Sequence, residues 1–357
     1  MRTERTSGAS KRLLGGTALA SGLLLASGGP VLAQLGPAVG PGGKLDITVG
    51  GFAKFYWVVG DVANRFGGRQ SSSDFRNDTE VHVKIQGKDA ATGIVYGAVV
   101  EFEADTNRTL NTDETYVFLR GAFGDVQFGD DDGIAKDFAI GAHKVAVATG
   151  GLDGEAGIDN ADTIYLRAPN NDATKIKYKS PTLAGFQLGA SYTPSPASEG
   201  DNLAVTNADG LEDVIEGALQ WSGTFGEIGL QASVVGAYAR EDSGNDTYKG
   251  FYVGGKLSAF GFAIAGGWGT EDSPLTGDRD FANIGASASV GPVGISVNYG
   301  NAYDTDGAEP RALILGADVG VFPGLALGLE VSFFDQKRPG DRDDDGVLGL
   351  TSLRLAF

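Results

Sequence analysis

The sequence predicts an all-β chain, a transmembrane antiparallel up-and-down β-barrel of about 16 strands, with short turns at one end and long loops at the other. Three observations predict it. Apolar residues alternate with small or polar ones along much of the chain, the links between these runs alternate between very short and long, and an export signal precedes a chain without a candidate transmembrane helix.

The export signal comes first. Arg2, Arg5, Lys11 and Arg12 precede an apolar stretch from Leu13 to Ala26 and then the small-residue site Val31-Leu32-Ala33. That order is a secretory signal peptide. As a retained anchor the stretch would be too short and too rich in Gly, Ser and Thr, because crossing about 30 Å of hydrocarbon takes about 20 apolar residues. Residues 1–33 are expected to be removed, leaving 34–357 as a single barrel domain. The absence of Cys excludes a disulfide scaffold, and a net charge of −18 repels nucleic acid. No Pro/Ser-rich linker divides the chain after Gln34.

Strands follow from a period of two. Val293, Ile295, Val297 and Tyr299 alternate with Gly294, Ser296 and Asn298. Leu325, Leu327, Leu329, Val331 and Phe333 do so with Ala326, Gly328, Glu330 and Ser332, and Val81, Val83 and Ile85 with Glu80, His82, Lys84 and Gln86. Helical spacing fits none of these runs. Tight hairpin turns are predicted at Phe123-Gly124-Asp125, Phe225-Gly226-Glu227, Phe260-Gly261, Gly291-Pro292 and Phe322-Pro323-Gly324. Between them lie polar excursions at 61–76, 105–111, 130–162, 195–213, 241–246, 271–279, 304–310 and 337–346. This asymmetry describes a bacterial barrel, with Thr163 to Arg167 open between strand and loop. A soluble β-sandwich shares the alternation. Against it, 57 glycines and few large residues on the second face would pack a soluble core poorly, whereas a water-filled lumen requires no such packing.

The chain end and two internal segments resemble the trimeric general porins of Gram-negative outer membranes, and the resemblance covers essentially all of the mature chain. The end carries Phe357 with Leu355 and Leu353 on one face. Residues 114–129 (ETYVFLRGAFGDVQFG) are similar to the strand, turn and strand before the family's constriction loop, and 179–192 (KSPTLAGFQLGASY) to the hairpin after it. The resemblance implies a homotrimer in outer-membrane lipid, recognition of Phe357, Leu355 and Leu353 by the barrel-assembly machinery, and an inward fold for loop 130–162. The alternative for that loop is a solvated acidic excursion outside the pore. Its acids are Asp130, Asp131, Asp132, Asp137, Asp153, Glu155, Asp159 and Asp162, against Lys136 and Lys144. Family members often carry a basic residue where Asp130 stands, so the usual basic wall is absent at that position.

Strand registers place a basic set in the pore. Lys54, His82, Lys84 and Arg120 alternate with apolar neighbours, as do Lys175, Lys177 and Lys179. A lysine facing mid-membrane hydrocarbon costs roughly 2–4 kcal/mol, so these side chains should face water, in the lumen or, for Lys175 and Lys179, by snorkelling at strand ends.

Other chemistry is sparse. With His82 and His143 the only histidines, no nucleophile and base pairing stands out, so no enzyme is expected. Asp341, Asp343 and Asp345 begin a D-x-D-x-D-G calcium pattern whose twelfth position is Ser352, so weak Ca²⁺ binding on an external loop competes with an ordinary acidic loop, and no other cofactor is expected. The expected function is passive diffusion of small hydrophilic solutes and ions, with the acids of loop 130–162 favouring cations. A channel with a saturable site of Tyr116, Phe118 or Phe138 with lysines, and a structural barrel without transport, are the alternatives.

Overall fold

The computed structural model describes residues 33–40, 43–62, 72–104, 112–154, 163–167, 173–196, 210–241, 246–337 and 344–357. Among them, seventeen strands form one antiparallel sheet: β1 (Ala33–Gly40), β2 (Gly43–Val62), β3 (Ser73–Lys88), β4 (Val95–Glu103), β5 (Thr115–Gly121), β6 (Gly124–Asp130), β7 (Thr174–Lys179), β8 (Phe186–Thr193), β9 (Leu211–Phe225), β10 (Ile228–Glu241), β11 (Thr247–Ala259), β12 (Phe262–Asp272), β13 (Arg279–Val290), β14 (Val293–Asp304), β15 (Glu309–Phe322), β16 (Leu325–Lys337) and β17 (Asp344–Ala356). From β2 onward each strand pairs with the next, and β17 pairs back onto β2 with Leu353 opposite Phe55. That pairing closes a barrel of sixteen strands, β2 to β17, while β1 folds back along the first part of β2.

Alternation becomes two faces. Phe55, Trp57, Leu188, Leu219, Ile295, Val297, Leu329 and Leu353 are exposed and form the outer, lipid-facing surface. Their neighbours Tyr56, Ala218, Asn298, Glu330 and Ser352 are buried within the barrel. Aromatic residues concentrate near the strand ends, as at Phe186, Trp221 and Phe225 near the short turns and Trp57 hydrogen-bonded to Ser73 near the long loops, where amphipathic rings suit the lipid headgroups.

All five predicted tight turns join consecutive strands, and two more short links, at 89–94 and 180–185, lie on the same side. The excursions are shorter than the sequence predicts. Strands β2 and β3 reach Val62 and Ser73, and only 305–308 separates β14 from β15, because ladder pairing continues above the apolar band without apolar side chains. Two connections are longer: that from β4 to β5, at 104–114, and that from β6 to β7, which runs on to Ala173; Thr163 to Arg167 belong to the latter as turns, not as a strand.

Two strand glycines have no alternative residue. Gly51 and Gly129 lie at φ +144° and +142°, and a Cβ on Gly129 would sit 2.3 Å from the Thr115 carbonyl oxygen. Gly129→Val should therefore destabilise the folded barrel by at least about 1–3 kcal/mol, the range for a residue forced into such backbone. Gly217→Ala, where a Cβ meets nothing within 4 Å, should leave the urea unfolding midpoint in detergent nearly unchanged. Equal midpoints for the two variants would contradict the β5–β6 geometry.

Candidate functional site

The long connection between β6 and β7 lies inside the barrel. It carries a short helix, α1 (Ile134–Phe138), and 3-10 turns at Ala142–Val145 and Gly151–Asp153. The apolar side of α1, Ile134, Ala135 and Phe138, packs on Ala218, Val235, Tyr252 and Phe281 of the wall. Farther along, Ala142, Leu152 and Ile164 pack on Ala312, Ile314 and Phe334. Wall glycines make room: a Cβ on Gly254 would lie 1.7 Å from the Ile140 carbonyl oxygen, and one on Gly300 would lie 2.3 Å from the Thr163 hydroxyl. The glycine-rich inner face thus seats a packed loop as well as lining water.

A backbone pressed against a wall loses water, so its N–H groups need other acceptors. Side chains of β8, β9 and β13 to β16 supply them. Ile134 N–H donates to Ser191 of β8, Ala135 N–H to Glu216 of β9, Ala142 N–H to Asn283 of β13 at 2.8 Å and Val147 N–H to Ser296 of β14 at 3.1 Å. Ala148 N–H donates to Asp318 of β15, and Thr149 and Gly151 N–H both donate to Glu330 of β16 at 3.1 Å. In return the Asn283 amide donates to the Thr163 carbonyl at 2.7 Å, and the Lys256 ammonium to the Lys144 carbonyl at 2.7 Å. The alternation marks Ser296 and Glu330 as inward-facing, but their partners are more than a hundred residues away and carry no local signal.

Charge fixes the loop where it leaves the wall. Lys177 is buried and pairs with Asp131, with Asp137 at 3.1 Å, and donates to the Asp132 carbonyl at 2.9 Å. Lys179 pairs with Asp137 at 2.7 Å, Lys136 with Asp132 at 2.8 Å, and the Thr174 hydroxyl donates to Asp130 at 2.5 Å. Burial works to raise the Asp137 carboxyl, but Lys177 and Lys179 overcome it and hold that group below its usual range. At Asp131 burial wins over Lys177, and the carboxyl is raised. Burial also raises Asp153, which accepts from the Tyr165 hydroxyl at 2.7 Å. His143, its ring tilted against that of Tyr165, is held well below its ordinary value by burial and by Lys144.

The loop's hydrogen bonds and packing reach round to β16, which leaves the arc from β2 to β5 facing it across the lumen. There Lys54 pairs with Asp78 at 2.6 Å and lies over the Phe52 ring. His82 contacts Glu80 at 2.8 Å and Glu101 at 3.4 Å. Lys84 and Arg120 both sit over the Phe118 ring, and Arg120 pairs with Asp125 at 2.8 Å. Lys175 and Lys179 turn inward, the one buried and the other bound to Asp137, in place of snorkelling outward. Phe138 is packed into the wall and offers no aromatic surface to a solute. Glu155, Asp159, Asp162, Asp341 and Asp343 lie outside the described residues. Asp345 belongs to β17, extended opposite Asp335, which Arg311 pairs.

A model of the Gram-negative porin family matches residues 17–339. The chain belongs to that family. Solved porins agree in fold. The anion-selective porin from Comamonas acidovorans superimposes with a TM-score of 0.64 at 17% identity, over 88% of this chain and 100% of that one. The outer membrane channel DcaP of Acinetobacter baumannii does so with a TM-score of 0.65 at 11% identity, over 90% and 100%. OmpT of Vibrio cholerae, solved in a trimer form, gives 0.61 at 12% identity, over 87% and 99%. An uncharacterized protein of Rickettsia bellii is 21% identical over 394 residues, 82% of this chain and 89% of that one. Family and barrel together place this porin in the outer membrane as a channel.

The porin's loop anchor has a pH signature. Asp137, with a folded pKa below the unfolded value of about 3.9, contributes stability above that value and loses it as pH falls through the lowered one. Lys179→Met removes one of its two cations. The variant should be less stable than the parent by about 1 kcal/mol at pH 7, and the gap should shrink below about pH 4. Thermal midpoints in detergent between pH 3 and 7 measure it; a gap independent of pH would contradict the pairing.

Proposed function

We propose that this channel passes small hydrophilic solutes and ions by passive diffusion, with a mild preference for cations. The observation that carries this is the inward loop. It is bonded to one side of the barrel and leaves a polar aperture against the β2–β5 arc. Only together with two lysines of β7 is the loop close to charge-neutral: its Asp131, Asp132, Asp137 and Asp153 stand against its own Lys136 and Lys144 and against Lys177 and Lys179 of the wall. Cation preference therefore rests less on the loop than on the acids of the facing arc, Asp78, Glu80, Glu101 and Glu103, opposed by Lys54, Lys84 and Arg120. Screening acts over about 8 Å at 0.15 M salt, so charges on the wall of a narrowed pore still act on a passing ion.

The mature chain would start at Gln34 after signal removal and assemble as a homotrimer through its flat apolar outer wall. Phe357, with Leu355 and Leu353, would be the element read by the assembly machinery. Its backbone exchanges both hydrogen bonds with Gly51 at 3.1 Å, so the same residue completes the β2 ladder. A saturable site is the second reading; with the Phe118 ring buried, Lys84 and Arg120 above it would be the groups that meet a solute.

In planar bilayers the protein should conduct, with current linear in solute concentration; saturation would favour the second reading, and absence of conductance would defeat both. In a KCl gradient the zero-current potential should indicate a modest preference for potassium. Asp131→Asn with Asp137→Asn should move it toward chloride by releasing Lys177 and Lys179 from their partners; an unmoved potential would mean that the anchor does not face permeating ions.

Removal of Phe357 should lower the amount of barrel in the outer membrane at low expression. Normal surface levels of the truncated chain would show that the terminal residue is not the assembly signal.

A further inference from the structure

We propose that Glu80, His82 and Glu101 form a binding site for a divalent first-row transition-metal ion on the lumen wall. The sheet register brings them together. His82 stands directly opposite Glu101 across β3 and β4, and Glu80 lies two residues before His82 on the same face. His82 Nε2 is 2.8 Å from a Glu80 oxygen and 3.4 Å from a Glu101 oxygen, and the three ligand atoms lie within 4.8 Å of one another. Metal–ligand bonds of about 2.0–2.2 Å place neighbouring ligand atoms roughly 3–3.5 Å apart, so Glu101 already lies at that spacing from His82 Nε2 and a small outward shift of Glu80 admits the ion.

The imidazole adds what a group of carboxylates lacks. It is 7% exposed, the Phe52 ring meets it edge-on at 5.9 Å, and its Nδ1 has no hydrogen-bond partner among the described residues. The contacts at 2.8 and 3.4 Å aim Nε2 at both carboxylates, which leaves Nδ1 to carry the proton when a metal is bound. Two carboxylates balance a charge of +2, and the nitrogen ligand favours zinc, nickel or copper over calcium and magnesium. A second set of oxygens, from Asp78, Glu80 and Glu103, converges beside it and shares Glu80, giving an arriving cation a further acidic contact. A protonated His82 flanked by two carboxylates is the competing arrangement, and it takes up no metal.

The test is equilibrium dialysis of the folded, chelator-treated barrel against Zn²⁺ with excess Mg²⁺, with bound metal counted by elemental analysis. One zinc per chain is expected. Loss of even an outer-shell partner lowers affinity about tenfold or more, so His82→Gln and Glu101→Gln should each weaken binding by at least that factor, while His143→Gln should not. Circular dichroism and heat-modifiable gel mobility establish folding, and Glu101→Gln decides alone should His82→Gln misfold. No bound zinc, displacement by Mg²⁺, or unchanged binding in a folded variant would overturn the site. Binding is read without conduction, so failure here is separable from failure of the diffusion reading. In bilayers, added Zn²⁺ should shift the zero-current potential toward chloride in the parent and not in His82→Gln; a shift in both would also count against the site.

Discussion

An unpaired backbone N–H or C=O in hydrocarbon costs several kcal/mol, and the β17–β2 ladder that closes the barrel removes the sheet edges where such groups would face lipid. The same constraint acts inside. A loop that leaves water to lie on the inner wall must find an acceptor for each buried N–H. Ser191, Glu216, Asn283, Ser296, Asp318 and Glu330 provide acceptors in strand order. One requirement thus sets both the closed sheet and the polar identity of the wall behind the loop.

Most of the fold is legible in the sequence because the outer face of a barrel obeys a local rule. Lipid demands an apolar residue at every second position, as at Leu325 to Phe333, and the tight turns carry their own glycine chemistry. Strand ends are less legible. Above the apolar band the ladder between β2 and β3 continues through Asp74, Arg76 and Asp78, where alternation gives way to charge. Glycine is ambiguous for a related reason: composition does not distinguish a residue omitted for water from one omitted for a neighbouring chain. Gly254 and Gly300 are of the second kind.

The site is less legible still, since its contacts join distant segments. That Lys177 faces inward follows from Ile176 and Tyr178 beside it, but its partners Asp131 and Asp137 lie some forty residues earlier. Counting acids and lysines within the loop alone therefore overstates its negative charge. The lysines that neutralise it stand on the strand to which it returns.

The consequence is a division of labour around the barrel. From β8 to β16 the inner wall spends its polar side chains on backbone and ion contacts with the loop, and those groups, Glu216 and Glu330 among them, are buried. From β2 to β5 the charged side chains meet mainly one another, in the Lys54–Asp78 pair, the Glu80–His82–Glu101 group and the Lys84–Phe118–Arg120 stack. Low-dielectric walls focus the field of charges that border an aqueous path, whereas charges paired within the loop seam cancel at short range. Changes on the bare arc can therefore alter what the pore favours with little effect on the loop's seating, whereas changes behind the loop act first on its position.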